Sequence, residues 1–275
     1  MNQREFDISL DKSDMIPAAV SAAFSILAIA AQPTTALAVL FITAMFGITF
    51  YYNKKTWFPF GTAQCVAANV FAIPLTIAVF RTGIAAPLRI FLPLAAWWFF
   101  VILSSIRSDG KSVSYNGLVE RQFGIVFRLT VPVFLLSGWQ LANTFGIDFL
   151  INAILVLGIA ESAYILFQLL ADKKFKKFNF HYRTSMSGRY LGSLSNPIVC
   201  ANFMVTMVSL SFVLYQRGDY LPFTGVYLFL LAGLFLCAGR AAMLAHFIVT
   251  TIIVAAIVFD GIRLDSILPL IALIL

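Results

Sequence analysis

Charged side chains are scarce in this chain. They make up 11% of its 275 residues, against about 25% in ordinary soluble domains. Hydrophobic residues fill 61% of the sequence and the mean hydropathy is +0.92. That balance excludes a water-soluble domain of this size and implies a polytopic membrane protein. Cysteine is limited to Cys65, Cys200 and Cys237, all in apolar spans and without metal-ligand spacing. They read as small lipid- or core-facing residues, and no metal site is expected. Only two histidines exist. No Walker motif, nucleophile elbow or dinucleotide fingerprint is present, which leaves ATP-driven and metal-dependent chemistry without support and no cofactor expected. The first fourteen residues carry both charge signs and do not read as a cleavable signal. The net charge of +7 points to anionic lipid or an anionic substrate and not to nucleic acid.

Apolar runs of roughly 17–20 residues are long enough to cross a bilayer as helices. They lie near 15–31, 34–52, 63–80, 88–106, 123–142, 147–171, 197–215, 221–238 and 241–259, and a tenth starts near Ser266. That last run stops at Leu275, too short to span, so a fold cut short at its carboxy end is expected. The fold class is all-α, a membrane bundle of about 9–10 helices forming one transmembrane domain over 1–275, because an open sheet cannot satisfy its backbone in lipid. Pro33 should separate the first two helices, and Pro74, Pro93 and Pro132 should kink theirs. Trp57, Trp97, Trp98, Trp139 and the pair Tyr51–Tyr52 are expected as interface anchors.

Against this background the polar segments stand out. The loop 172–196 carries Lys173, Lys174, Lys176, Lys177, His181, Arg183 and Arg189. The lysines suit anionic headgroups of membrane lipids. Arg183 and Arg189 sit among small residues, including Gly188, Gly192 and Ser193, where a backbone can approach a ligand closely. A guanidinium fork suits bidentate phosphate binding. Asn196 is placed as the cap of a helix whose first residue is Pro197, and such a helix start favours an anion. A second arginine, Arg240, lies among Gly239, Ala241 and Ala242 between two apolar runs. An ionisable residue at such a junction is a functional candidate. Glu161 lies mid-span, with Tyr164 and Gln168 on the same helical face. It is expected to face the interior, to pair with a group such as Arg128 of the neighbouring helix, or to contact substrate. His246 reads as a satisfied interior residue and His181 as a candidate base.

The run Arg189-Tyr190-Leu191-Gly192-Ser193-Leu194-Ser195-Asn196-Pro197, with Ala201 beyond it, resembles the Arg-x-x-Gly-x-x-x-Asn-Pro-(Asn)-x-x-Ala segment of the O-antigen ligase and O-antigen polymerase superfamily. Gly239-Arg240-Ala241-Ala242 resembles that family's Ser-Arg-Gly-Ala segment at a helix junction, and Trp97–Ser105 its earlier Trp/Ser helix end. Ile198 stands where a second Asn often follows the proline, and Gly239 where the family has Ser. The resemblance covers roughly residues 90–260. It implies a GT-C-like glycosyltransferase of the bacterial inner membrane, working without a metal at the periplasmic face. The donor would be an undecaprenyl-diphosphate-linked glycan. The acceptor would be a lipid-linked one, lipid A–core or another glycan repeat. By the same resemblance Arg189 and Arg240 would hold the donor diphosphate, while the loop, cap and mid-span readings above make Arg183, Gly192, Asn196, His181 and Glu161 candidate substrate contacts. The family's large loop with its catalytic histidine would lie beyond Leu275.

Charge and resemblance disagree on orientation. Counting Lys and Arg on alternate sides puts fourteen with the amino terminus and the 172–196 loop and four opposite, with Arg128 inside a span. The positive-inside rule places the fourteen in the cytoplasm, whereas the resemblance places the 172–196 loop in the periplasm. Two competitors follow from the same residues. One is a transporter or lipid-linked glycan flippase with Glu161, Arg128 and His246 as an intramembrane relay. The other is a non-catalytic membrane scaffold.

Overall fold

The computed structural model describes residues 12–50, 59–83, 87–107, 125–174, 185–186, 189–190, 192–194, 197–237 and 240–260. Among them lie nine helices: α1 (Lys12–Ala30), α2 (Pro33–Phe50), α3 (Pro59–Thr82), α4 (Leu88–Ile106), α5 (Ile125–Phe145), α6 (Ile147–Lys174), α7 (Pro197–Gln216), α8 (Tyr220–Cys237) and α9 (Arg240–Asp260). Each apolar run between 15 and 259 coincides with one of them. Five helices, α2 and α6 to α9, are long and apolar enough to cross a bilayer, and α1, α3 and α4 contain shorter apolar stretches. The tenth run, from Ser266, lies outside the described residues. One feature departs from the all-helical expectation: β1 (Ser185–Met186) pairs antiparallel with β2 (Arg189–Tyr190). These strands belong to the polar segment between α6 and α7, and their pairing satisfies backbone groups of the four residues.

The helices pack as two compact units, Met1–Ile147 and Asp148–Leu275. In the first, α3 packs against α1, α2 and α5, and α5 also touches α2 and α4. Leu37, Leu40, Ala44, Leu75 and Ala78 are among its fully buried residues. The expected prolines fall inside α3, α4 and α5. Pro132 has a visible consequence. It lacks an N–H, so the carbonyl of Arg128 one turn earlier loses its helical donor. Trp97 Nε1 on α4 donates to that carbonyl at 3.4 Å, and Trp98 Nε1 donates to the adjacent Leu129 carbonyl at 3.1 Å. The two indoles, expected as interface anchors, thus also bond backbone carbonyls beside Pro132. Arg81 works similarly at a helix end. Its guanidinium donates to the Ala28 and Ala31 carbonyls at 2.6 and 3.0 Å, capping the carboxy-terminal end of α1.

In the second unit α7 packs against α8 and α9. Its Met204, Val205 and Val208 are buried with Leu230, Leu234 and Ile253. Helix α6 joins them through small residues. A Cβ on Gly158 would lie 2.7 Å from Met207 Cγ, and one on Gly233 would strike Ser162 Oγ. Ser162 Oγ donates to the Phe229 carbonyl at 3.1 Å, one turn before Gly233. The missing side chain at Gly233 therefore opens the path for an interhelical hydrogen bond, the close approach that small residues permit in lipid. Arg217, just past α7, ties the unit's helix ends by bonding Asp148 and, at 2.9 Å, Asn152 Oδ1 in the first turns of α6.

Gly233→Val should overpack the α6–α8 contact and cost about 1–3 kcal/mol. Thermal unfolding in detergent checks this: a transition several degrees below wild type is expected, and an unchanged transition would remove this contact from the account.

Candidate functional site

Glu161 and Gln168 are separated by seven residues, two turns of α6, so both side chains lie on one face. Glu161 is fully buried and Gln168 is 6% exposed. What they face is the turn Gly192–Leu194. The Ser193 N–H donates to Glu161 Oε1 at 2.8 Å and the Ser193 hydroxyl to Oε2 at 2.6 Å. Cys200 Sγ, in the first turn of α7, donates to Oε1 at 3.4 Å. Gln168 engages both backbone groups of Gly192: Nε2 donates to its carbonyl at 3.2 Å, and Oε1 accepts its N–H at 3.1 Å. One side-chain amide thus serves Gly192 as a neighbouring strand would.

Gly192 is required by this geometry. Its φ is +60°, in the left-handed region, and a Cβ there would collide with Glu161 Oε1 and sit 2.6 Å from Cys200 Sγ. The carboxylate occupies the space a side chain would need.

The same contacts gather several chain segments at one end of the unit. Cys200 lies 3.4 Å, sulfur to sulfur, from Cys237, the last residue of α8. Both thiols are buried and free. Helix α9 begins three residues later with Arg240, which is exposed. Strand β2, whose first residue is Arg189, packs against α8. The strand carrying Arg189, the start of α7, the end of α8 and the start of α9 with Arg240 therefore lie together. Two helix amino termini at one place present unsatisfied N–H groups and positive dipole ends. With Arg240 exposed at one of them, that arrangement favours an anion such as a phosphate.

The expected site residues divide accordingly. Gly192 and Glu161 meet directly. Pro197 opens α7 as expected. His181, Arg183 and Asn196 lie outside the described residues. Glu161, expected to face the interior, is fully buried, and its carboxylate accepts from Ser193 and Cys200. Hydroxyl, amide and thiol donors converge on it from the adjoining turn and α7, so among the described residues its partners are neutral. Tyr164, on the same face, is 36% exposed, and its hydroxyl bonds Gln168. His246 is 9% exposed, with Nδ1 3.3 Å from Thr250 Oγ1 and its ring beside Tyr227, as an interior residue should be. Ser193 and Cys200 were not singled out as partners of Glu161. The available signal was an acid mid-span with no cation within three turns of it on its own helix, followed in the chain by a serine-rich turn.

Comparison with family models, with curated proteins and with solved structures finds no match to this chain. The fold itself defines the class: a helical, multi-pass membrane protein.

Mild oxidation of native membranes with iodine, in a Cys65→Ser background, should join Cys200 to Cys237 as a disulfide. Counting thiols with a maleimide polymer after denaturation reads the result. Loss of both reactive thiols, reversed by dithiothreitol, is expected; two thiols still reactive would mean that the ends of α7 and α8 do not meet.

Proposed function

We propose that this protein is an O-antigen ligase- or polymerase-like glycosyltransferase of the bacterial inner membrane, with a GT-C-like helical architecture. It transfers glycan from an undecaprenyl-diphosphate donor to a lipid-linked acceptor at the periplasmic face, in cell-surface polysaccharide synthesis. One observation carries this reading: the turn that follows Arg189 lies against Cys200 at the start of α7, and Cys200 meets Cys237, three residues before Arg240. The sequence pattern around both arginines points the same way.

The chemistry asked of the site is modest. The bond between the donor sugar's anomeric carbon and the diphosphate oxygen breaks, and the diphosphate leaves with the electron pair. The acceptor hydroxyl oxygen forms the new bond to that carbon and releases its proton, for which His181 is this chain's candidate acceptor. Negative charge grows on the departing diphosphate. Fixed guanidinium groups and helix amino termini stabilise such charge without reorganising, and loss of one such donor typically costs about 10²–10³ in rate. No step needs a metal.

Arg240→Ala and Arg189→Ala should each lower glycan transfer by about 10²-fold or more, with unchanged membrane insertion and protein level. Arg→Lys should recover part of the rate, because a point charge lacks the bidentate fork. The measurement is transfer of lipid-linked glycan in cells or proteoliposomes. Normal transfer by the Arg240→Ala protein would overturn the proposal.

A further inference from the structure

We infer that Glu161 and Gln168 are positioning residues: they clamp the Gly192–Ser193 turn onto α6 and thereby fix the strand carrying Arg189. Its role at a donor site rests on the proposed function above; the clamp itself rests on geometry alone.

Four hydrogen bonds hold two residues of the turn. Gly192 gives its N–H and its carbonyl to Gln168, and Ser193 gives its N–H and its hydroxyl to Glu161. Both backbone groups of Gly192 and the N–H and hydroxyl of Ser193 are thus matched, and their partners, Glu161 and Gln168, belong to one helix face. A loop at the edge of an apolar bundle would otherwise leave these groups unsatisfied or open to water. A fully connected buried polar cluster specifies one arrangement, because each partial arrangement strands a donor or acceptor. The site Gly192 occupies is also closed by shape, since a Cβ would meet Glu161 and Cys200. Arg189 lies only three residues before this anchored glycine, and its strand packs on α8. The freedom left to that segment is small, and a ligand bound there spends little of its binding energy on ordering it.

A carboxylate buried at this depth is expensive in a membrane protein and marks function. Here its carboxylate is engaged by the turn and by Cys200, so Glu161 acts through the turn. That assignment separates it from the arginines in a measurable way. Loss of an arginine removes the positive charge that stabilises the departing diphosphate; loss of the clamp loosens the segment that carries one.

The test is amide hydrogen exchange on the full chain in lipid nanodiscs, with the kinetics of transfer alongside. In Glu161→Ala the Gly192 and Ser193 amides should exchange at least about tenfold faster, while the amides of α7 keep their wild-type protection. Glu161→Gln keeps an acceptor for the Ser193 N–H, and the Ser193 hydroxyl can reverse to accept from the new amide. It should restore wild-type exchange within about threefold. In transfer, Glu161→Ala should raise KM for the lipid diphosphate about tenfold with kcat changed far less, as expected for lost preorganisation. Unchanged exchange in Glu161→Ala would overturn the clamp, as would a Glu161→Gln protein as loose as Glu161→Ala. If Glu161→Ala also strips protection from α7, Gln168→Ala decides. Of the four bonds to the turn it removes only the Gly192 pair, and an unaltered Gly192 amide would then overturn the inference. Faster exchange in Glu161→Ala, in a chain whose wild type transfers no glycan, leaves the clamp standing and removes the glycosyltransferase reading.

Discussion

A buried acid in a low-dielectric setting must be satisfied, and in this protein that need organises one end of the second unit. Glu161 takes a backbone N–H and a hydroxyl from Ser193 and a thiol from Cys200. To deliver those donors the chain must turn at Gly192 with a positive φ, and α7 must begin close by. Cys200 then reaches Cys237, which places the end of α8 and the start of α9 at the same spot. A chain of short contacts thus runs from one carboxylate to four segments of the fold. Removing it would leave at least two buried donors unmatched, each costing about 1–3 kcal/mol.

The rest of the molecule follows the same rule of satisfying polar groups locally in an apolar medium. Pro132 frees a carbonyl and Trp97 meets it. The end of α1 exposes carbonyls and Arg81 meets them. Ser162 finds the Phe229 carbonyl because Gly233 leaves the way open. Thr49, Thr76, Ser137 and Ser209 bond carbonyls one turn back in their own helices. With lipid as apolar as leucine, such contacts and close small-residue packing fix helix positions where hydrophobic burial alone would not.

Much of the helix content was legible in the sequence. Long apolar runs bounded by charges and prolines admit one spanning structure, and nine runs became nine helices among the described residues. Pro33 and Pro197 each open a helix, as a residue without an N–H can do freely. The importance of the Gly192 turn and of Glu161 could also be read, because small residues beside an arginine and an acid within a span are both rare. Their union could not. Charge alone suggests a cation as the acid's partner, and nothing in the sequence points to a serine thirty-two residues away whose backbone conformation decides the match. The β1–β2 hairpin was equally hidden, since two-residue strands have no periodicity to detect. Arg81 reads in sequence as a loop charge, and its target, the carbonyls closing another helix, is set only by packing.

The central claim is that these helix ends and two arginines form one site for an isoprenoid diphosphate. Binding of undecaprenyl diphosphate to the purified protein in nanodiscs, compared with undecaprenol, tests it most directly. The account expects the diphosphate to bind at least about tenfold tighter than the alcohol, equivalent to about 1.4 kcal/mol, and that preference to vanish in the Arg189→Ala, Arg240→Ala double variant. Equal binding of the two lipids, or a preference that survives loss of both arginines, would contradict it.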